Sequence, residues 1–273
     1  EIQPTDQKSL QGHGFSLLSA ARPGVVPPLS LNHQGILADQ RVRQALLTGI
    51  DRQELVDTVL GFRDRPATSV LASTTPFYEP MPGLRYDPAS SRRLLDQAGW
   101  VPGPDGIRVR NGRRLSLNWL IPAPMPIANE YVQQQLKKIG VEVRLNAVPP
   151  AKYVEQQAAG NFDITAVAVL RADPDVLRNL FYSKGQNLWH LPPSRLDTYL
   201  EQEATASTDE ARQKAVTKAV RWILDHADTV PLYEGSVVHG VSDQVKGLRM
   251  DASLRLALHD AKLGFEAMAA RDR

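Results

Sequence analysis

The segment Leu170-Arg171-Ala172-Asp173-Pro174-Asp175 sets one guanidinium beside two carboxylates at the mouth of an expected helix. A guanidinium in such a loop can grip an acidic group through two parallel hydrogen bonds, and a carboxylate can hold an ammonium. The same residues have a plainer use, because Asp173 before Pro174 is an ordinary capping arrangement and Asp175 in a first helical turn suits the helix dipole. Both uses stay open on the sequence. Asn187-Leu188-Trp189-His190, between two expected helices, offers an aromatic ring and two hydrogen-bonding side chains. Exposed, Trp189 would be an apolar wall for a ligand; buried, it would cap a core. Arg108, Arg110, Arg113 and Arg114 surround the Asn111-Gly112 turn and could touch phosphate, but no aromatic residue lies among them to stack a base, so a solvated turn is expected.

No catalytic constellation emerges from spacing. His13, His33, His190, His226, His239 and His259 are scattered without metal-ligand spacing, and His226 near a helix C-terminus suits the dipole. GxSxG, Walker A and GxGxxG segments are missing, so the expectation is a protein that is not an enzyme, with no cofactor and no metal. The absence of cysteine excludes thiolate metal sites, disulfide scaffolds and cysteine nucleophiles. A balance of 32 Lys+Arg against 30 Asp+Glu argues against a nucleic-acid partner. The 273 residues, 42% of them apolar, can build a substantial core. No apolar run approaches the roughly 18 residues of a membrane span, and the first residues lack the pattern of a leader. The chain therefore reads as soluble, and as a processed or excised form because it does not begin with Met.

The elements that must position these groups follow from periodicity. From Asp39, Val42, Ala45, Leu46, Gly49 and Ile50 recur at helical steps, and Asp51 with Glu54 opens a second helix carrying Leu55, Val56, Val59 and Leu60. Phe62 to Pro88 is a stiff, proline-rich connection, after which Asp87-Pro88 opens a helix that Gly99 closes. Asn111-Gly112 predicts a hairpin. A strand over 115–121, a helix over 127–139, a strand over 141–145, a helix over 151–159 and a strand over 164–169 then make a β-α-β-α-β unit, the mark of an α/β fold with parallel strands. Helices are expected at 174–182, 195–206 and 209–226, then a strand pair at 230–233 and 237–241. Short strands in residues 1–35 lack a sequence partner. In such sheets ligands bind beyond the carboxyl ends of the strands, which points to the loops at 122–126, 147–150 and 170–175.

Several motifs occur together and in order: Asp39-Gln40-Arg41-Val42-Arg43-Gln44-Ala45 leading to Gly49-Ile50-Asp51-Arg52; Tyr86-Asp87-Pro88 with Leu94-Leu95-Asp96-Gln97-Ala98-Gly99-Trp100; Gln135-Leu136-Lys137-Lys138-Ile139-Gly140-Val141; and Gly160-Asn161-Phe162-Asp163. Asp173-Pro174-Asp175, Asn187, Asp197, Arg212 and Val230-Pro231-Leu232-Tyr233 extend the series. With these, the chain resembles the extracytoplasmic solute-binding proteins of family 5, which serve peptide, opine and nickel importers. The resemblance implies the C-terminal lobe of a two-lobed fold of the periplasmic-binding-protein kind: 36–229 as the α/β lobe, 1–35 as strands running to or from an N-terminal lobe, and 230–273 as return strands and tail.

The resemblance further implies a monomeric ABC-importer component, extracytoplasmic or a cell-surface lipoprotein. It would capture an oligopeptide, modified peptide or other small polar solute by lobe closure and pass it to a membrane permease. A solute-sensing lobe of a regulatory protein is the alternative. Peptide-binding members carry a Trp and then an Asp downstream of the Phe-Asp motif, the Asp gripping the peptide's free amino group. Val169 and Ala172 stand at those places here, with Asp173 one residue late. An ammonium buried without a carboxylate is costly. The expectation is therefore a solute other than a simple free peptide, with Arg171 and Asp173 as polar anchors, Asn187 and Trp189 lining the site, and Tyr233 near the hinge.

Overall fold

The computed structural model describes residues 2, 6, 9–10, 13–60, 63–82, 84–167, 169–251 and 254–264; expectations that fall elsewhere, such as the last residues of the tail, lie outside the described residues. In chain order the elements are β1 (Phe15–Ala21), β2 (Gly24–Val25), β3 (Pro28–Leu31), α1 (Gln40–Thr48), α2 (Arg52–Val59), β4 (Arg65–Pro66), α3 (Pro88–Gln97), β5 (Val101–Pro102), β6 (Arg108–Arg110), β7 (Arg113–Arg114), β8 (Ser116–Pro122) and α4 (Ile127–Lys138). They continue with β9 (Glu142–Val148), α5 (Pro150–Ala158), β10 (Ile164–Thr165), β11 (Val169–Leu170), α6 (Val176–Phe181), α7 (Arg195–Ala204), α8 (Asp209–Asp225), β12 (Thr229–Pro231), β13 (Tyr233–Glu234) and β14 (Ser236–Ser242).

Helix starts follow the capping residues. Asp51 accepts from Glu54 N at 2.9 Å, Asp87 accepts from Ser90 N at 2.8 Å with Pro88 in the first turn, and Ser194 with Asp197 forms a capping box. Each such cap stabilises its helix by about 1 kcal/mol. Helix α4 gives way to Gly140, whose φ of +89° and close approach to Arg108, with Cγ 2.7 Å from where a Cβ would lie, admit no other residue without a shift.

The β-α-β-α-β unit forms as its periodicity predicts, with β8 parallel to both β9 and β10. The sheet order is β12-β3-β10-β8-β9, so two antiparallel strands from opposite ends of the chain complete it. Alternation along β8 splits its side chains: Leu117, Trp119 and Ile121 join a core with Leu46, Leu55, Leu95 and Leu136, while Leu120 joins a second core with Leu177, Leu200, Val220 and Ile223. The helices thus cover both faces of one sheet.

Three expectations are corrected. The strands at 230–233 and 237–241 do not pair with each other: β12 pairs with β3, while β14 pairs with β1 in a seven-residue ribbon from Phe15↔Ser242 to Ala21↔Ser236. The run over 164–169 divides into β10, in the main sheet, and β11, which pairs with β2. The arginine turn is a β6–β7 hairpin as Asn111-Gly112 predicts, but Arg108 is buried rather than solvated, donating to Asp96 Oδ1 at 2.5 Å and to the Trp100 and Ile139 carbonyls. Of the strands expected to belong with another lobe, β3 and β12 sit inside this sheet; β1 and β14 stand apart from it as the ribbon.

Candidate functional site

Strand direction decides which edge of the sheet carries the ligand loops. The carboxyl ends of β8, β9 and β10 point to one edge, and because β3 and β12 pair antiparallel and parallel to that direction, respectively, the start of β3 and the end of β12 lie there as well. Residues 24–27, 166–167, 169–171 and 232–236 therefore gather at one edge, and the ribbon leaves the sheet from it.

Strand β2 is the keystone of this edge. Its Gly24 has φ of +101°, and a Cβ there would lie 2.1 Å from the Val169 carbonyl oxygen and 2.8 Å from Arg171 N. Only glycine lets β11 lie so close, and this contact fixes where the 170–175 loop starts. On its other side, Gly24 N donates to Thr75 Oγ1 at 2.8 Å and Gly24 O accepts from Ala72 N at 2.9 Å. Neither Gly24 nor Thr75 was among the site residues expected from sequence; Pro23-Gly24 between two apolar stretches was the available signal.

Of the five expected site residues, the structure brings Arg171 and Asp173 together, beside a surface cavity of about 480 Å³ that Asp175, Arg178 and Arg212 also line. Asp173 is committed locally: it accepts from Asp175 N at 2.9 Å and from Arg212 Nη2 at 2.5 Å. Burial alone would push its carboxyl up, but the Asp175 N–H and Arg212 outweigh this and hold it below the usual range. Arg212 also pairs with Glu203, which is 2% exposed and whose carboxyl is raised by burial against the pull of Arg212. Asp175 is held by Arg178 at 2.6 Å. The carboxylates of this loop are thus already gripped by arginines. Arg171 is exposed and makes no hydrogen bond or ion pair among the described residues, so the loop presents a cation.

The remaining three lie elsewhere. Trp189 is 2% exposed, its ring 5.4 Å from that of Phe181 inside the second core, so it caps a core instead of walling a cleft. Asn187, at φ +43°, closes its own loop, donating to Leu191 O at 3.0 Å and accepting from Leu191 N at 2.8 Å. Tyr233 stands on β13 beside the ribbon root, opposite Pro66; burial, with Asp64 adding to it, raises its hydroxyl pKa.

Residues of the recurring motifs hold the scaffold. Arg43 donates to the carbonyls of Leu37, Ala38, His226 and Ala227, and Arg52 to those of Pro231, Ile50 and Leu47. Asp163 accepts from Asn118 N at 2.7 Å, and Asp197 from Ser183 N and Oγ. Each ties a loop to a neighbouring element through buried or half-buried hydrogen bonds. Among the described residues no group of three or more His, Asp or Glu could hold a metal ion, and no helix is long and apolar enough to cross a membrane.

Comparison with known proteins agrees with this architecture. The chain is 31% identical over 170 residues to the oligopeptide-binding protein AppA of Bacillus subtilis, covering 57% of this chain and 31% of that protein. It is 24% identical over 272 residues to a dipeptide-binding protein of Pseudomonas aeruginosa, covering 94% of this chain and 49% of that one. Among solved structures, NikA from Brucella suis in complex with Fe(III)-EDTA superposes with a TM-score of 0.83 at 22% identity, over 96% of this chain and 55% of that chain. The chain spans about half or less of the length of the curated relatives it matches. Its fold is mixed α/β and matches periplasmic-binding-protein-like structures. The sequence profile of bacterial extracellular solute-binding proteins, family 5 Middle, matches residues 1–189. With well over half its length inside that match, and with the fold in agreement, the chain belongs to the extracellular solute-binding proteins of family 5.

Proposed function

We propose that this chain is the solute-binding lobe of an ABC-importer binding protein. It takes up a peptide-like or other small polar solute outside the membrane by closing with a second lobe, and delivers it to a permease without chemistry. The carrying observation is topological: the β1–β14 ribbon leaves the sheet at the edge where the ligand loops gather, so a body joined through it would close over Arg171. Closure divides ligand contacts between two bodies, so this lobe alone should bind its solute weakly. A monomer needs no further surface. The relatives' names, oligopeptide-, dipeptide- and murein peptide-binding, support a peptide-like solute and an extracytoplasmic place.

Within that class, Arg171 favours an acidic group, and the commitment of Asp173 to Arg212 leaves no spare carboxylate in this loop for a free amino terminus. The test is mass spectrometry of small molecules released on denaturing the full-length protein purified from its own cells. An acidic or N-blocked solute is expected. Release of peptides with free amino termini would overturn the role given to Arg171, and nanomolar solute binding by this chain alone would overturn lobe closure.

A further inference from the structure

A second cavity, of about 500 Å³, opens at the ribbon root between β1, β4, the 73–74 loop and β13, lined by Ser19, Arg63, Arg65, Ser73, Thr74 and Glu234 among others. We propose that it is a binding site for a small carboxylate, with Arg65 as its principal donor.

One cross-strand ion pair does not form at this wall. Arg65 and Glu234 stand opposite each other in the antiparallel β4–β13 pair, where unlike charges ordinarily face and attract. Glu234, only 8% exposed, turns instead to Ser73, accepting from its N–H at 3.2 Å and its hydroxyl at 2.6 Å. Arg65 is left exposed at the cavity wall, with no hydrogen bond or ion pair among the described residues. On the same wall Arg63 reaches Ser19 Oγ at 2.8 Å, which fixes a second guanidinium in place, and Thr74 adds an exposed hydroxyl. The Arg65 guanidinium, with the Thr74 hydroxyl at the rim of a space of this size, suits a planar anion gripped by a fork of N–H donors. Two carboxylates lie at this wall, Glu234 in the lining and Asp64 accepting from Ser236 N beside it, and together they oppose a dianion more than a monoanion, so the cavity favours a carboxylate over a phosphate.

This site is distinct from the Arg171 loop. Strand β2 runs between them, with β11 on one edge and Leu71-Ala72 on the other. Its test does not depend on the importer reading, because it asks only what this chain binds.

Propionate, propionamide and inorganic phosphate would each be titrated into the isotope-labelled 273-residue chain at constant ionic strength, following the amide signals of Ser73 and Thr74 and the Nε–H signal of Arg65 by NMR. Saturable shifts with propionate and none with the isosteric, uncharged propionamide are expected. Arg65→Gln should weaken propionate binding about tenfold or more while leaving the rest of the spectrum in place. Arg171→Ala should leave it within about twofold. Equal shifts with propionamide, no shifts with propionate, or loss of binding in Arg171→Ala instead of Arg65→Gln would each overturn the site. Tighter binding of phosphate than of propionate would overturn the carboxylate assignment.

Discussion

Replacing Asp228 by Asn should change how the stability of the chain responds to pH, and the direction follows from counting protons. His33 and Asp228 are both buried, with side-chain exposures of 4% and 6%, and His33 Nε2 lies 3.7 Å from Asp228 Oδ1. Burial, with Arg43 adding to it, lowers the His33 pKa from 6.5 to about 3. Burial raises the Asp228 pKa from 3.8 to about 7, against the attraction of Arg43. Between pH 4 and 6.5, roughly, the folded chain therefore keeps the proton on Asp228 and none on His33, while the unfolded chain does the reverse. The totals are equal, so in this window the pair contributes no slope.

Each variant uncovers the other partner. In Asp228→Asn only His33 remains, neutral when folded and charged when unfolded, so its contribution is complete above pH 6.5 and falls as the pH drops toward about 3. The slope is about 1.4 kcal/mol per pH unit, set by one proton and not by the size of either shift. In His33→Gln only Asp228 remains, and stability falls as the pH rises from 3.8 to about 7. Across pH 4.5 to 6.0 the two variants should diverge from the parent in opposite directions by about 2 kcal/mol each. Urea unfolding at a series of pH values, with fixed ionic strength, measures this directly. Profiles that stay parallel to the parent's would show that the two groups titrate normally in the fold, and would refute the argument.

Gly24→Ala should cost well over about 1 kcal/mol, since it adds both a steric conflict with Val169 and a disfavoured φ; hydrogen exchange should show lost protection at Val169 and Leu170, and unchanged protection would discount the keystone role. Trp189→Ala should cost about 3–5 kcal/mol as a core truncation, read by urea unfolding, with a near-neutral effect speaking against burial. In the full-length protein, Arg171→Ala should weaken an acidic natural solute roughly ten- to a hundredfold by calorimetry, the worth of about 1.5–3 kcal/mol of charge-assisted hydrogen bonding; unchanged affinity would withdraw the role. Asp173→Asn should destabilise the loop by weakening its tie to Arg212, which keeps Glu203, and should leave solute affinity less affected than Arg171→Ala does; the reverse order, by the same calorimetry, would make Asp173 the anchor.

Short-range rules set the local architecture. Caps at Asp51, Asp87 and Ser194, apolar periodicity in α1, α4 and α8, and the alternation from 115 to 165 each express a short-range rule, so the β-α-β-α-β unit and its helices were legible. The order of the motifs likewise carried the family. Features that depend on residues far apart in the chain are set by packing and long-range pairing. That β3 and β12, some 200 positions apart, share the sheet follows from β-pairing, which leaves no mark of its partner in either strand. Whether Trp189 walls a cleft or fills a core turns on what covers it, and Phe181 with the helices α6 to α8 does. Asp173 reads from sequence as an anchor or a cap; Arg212, 39 residues later, commits it to scaffold. Arg65 carries no mark of its role in the sequence, because an uncompensated charge is defined by where its neighbours turn. Ser73 takes Glu234 through two long-range hydrogen bonds, and Arg65 is left to face an open cavity.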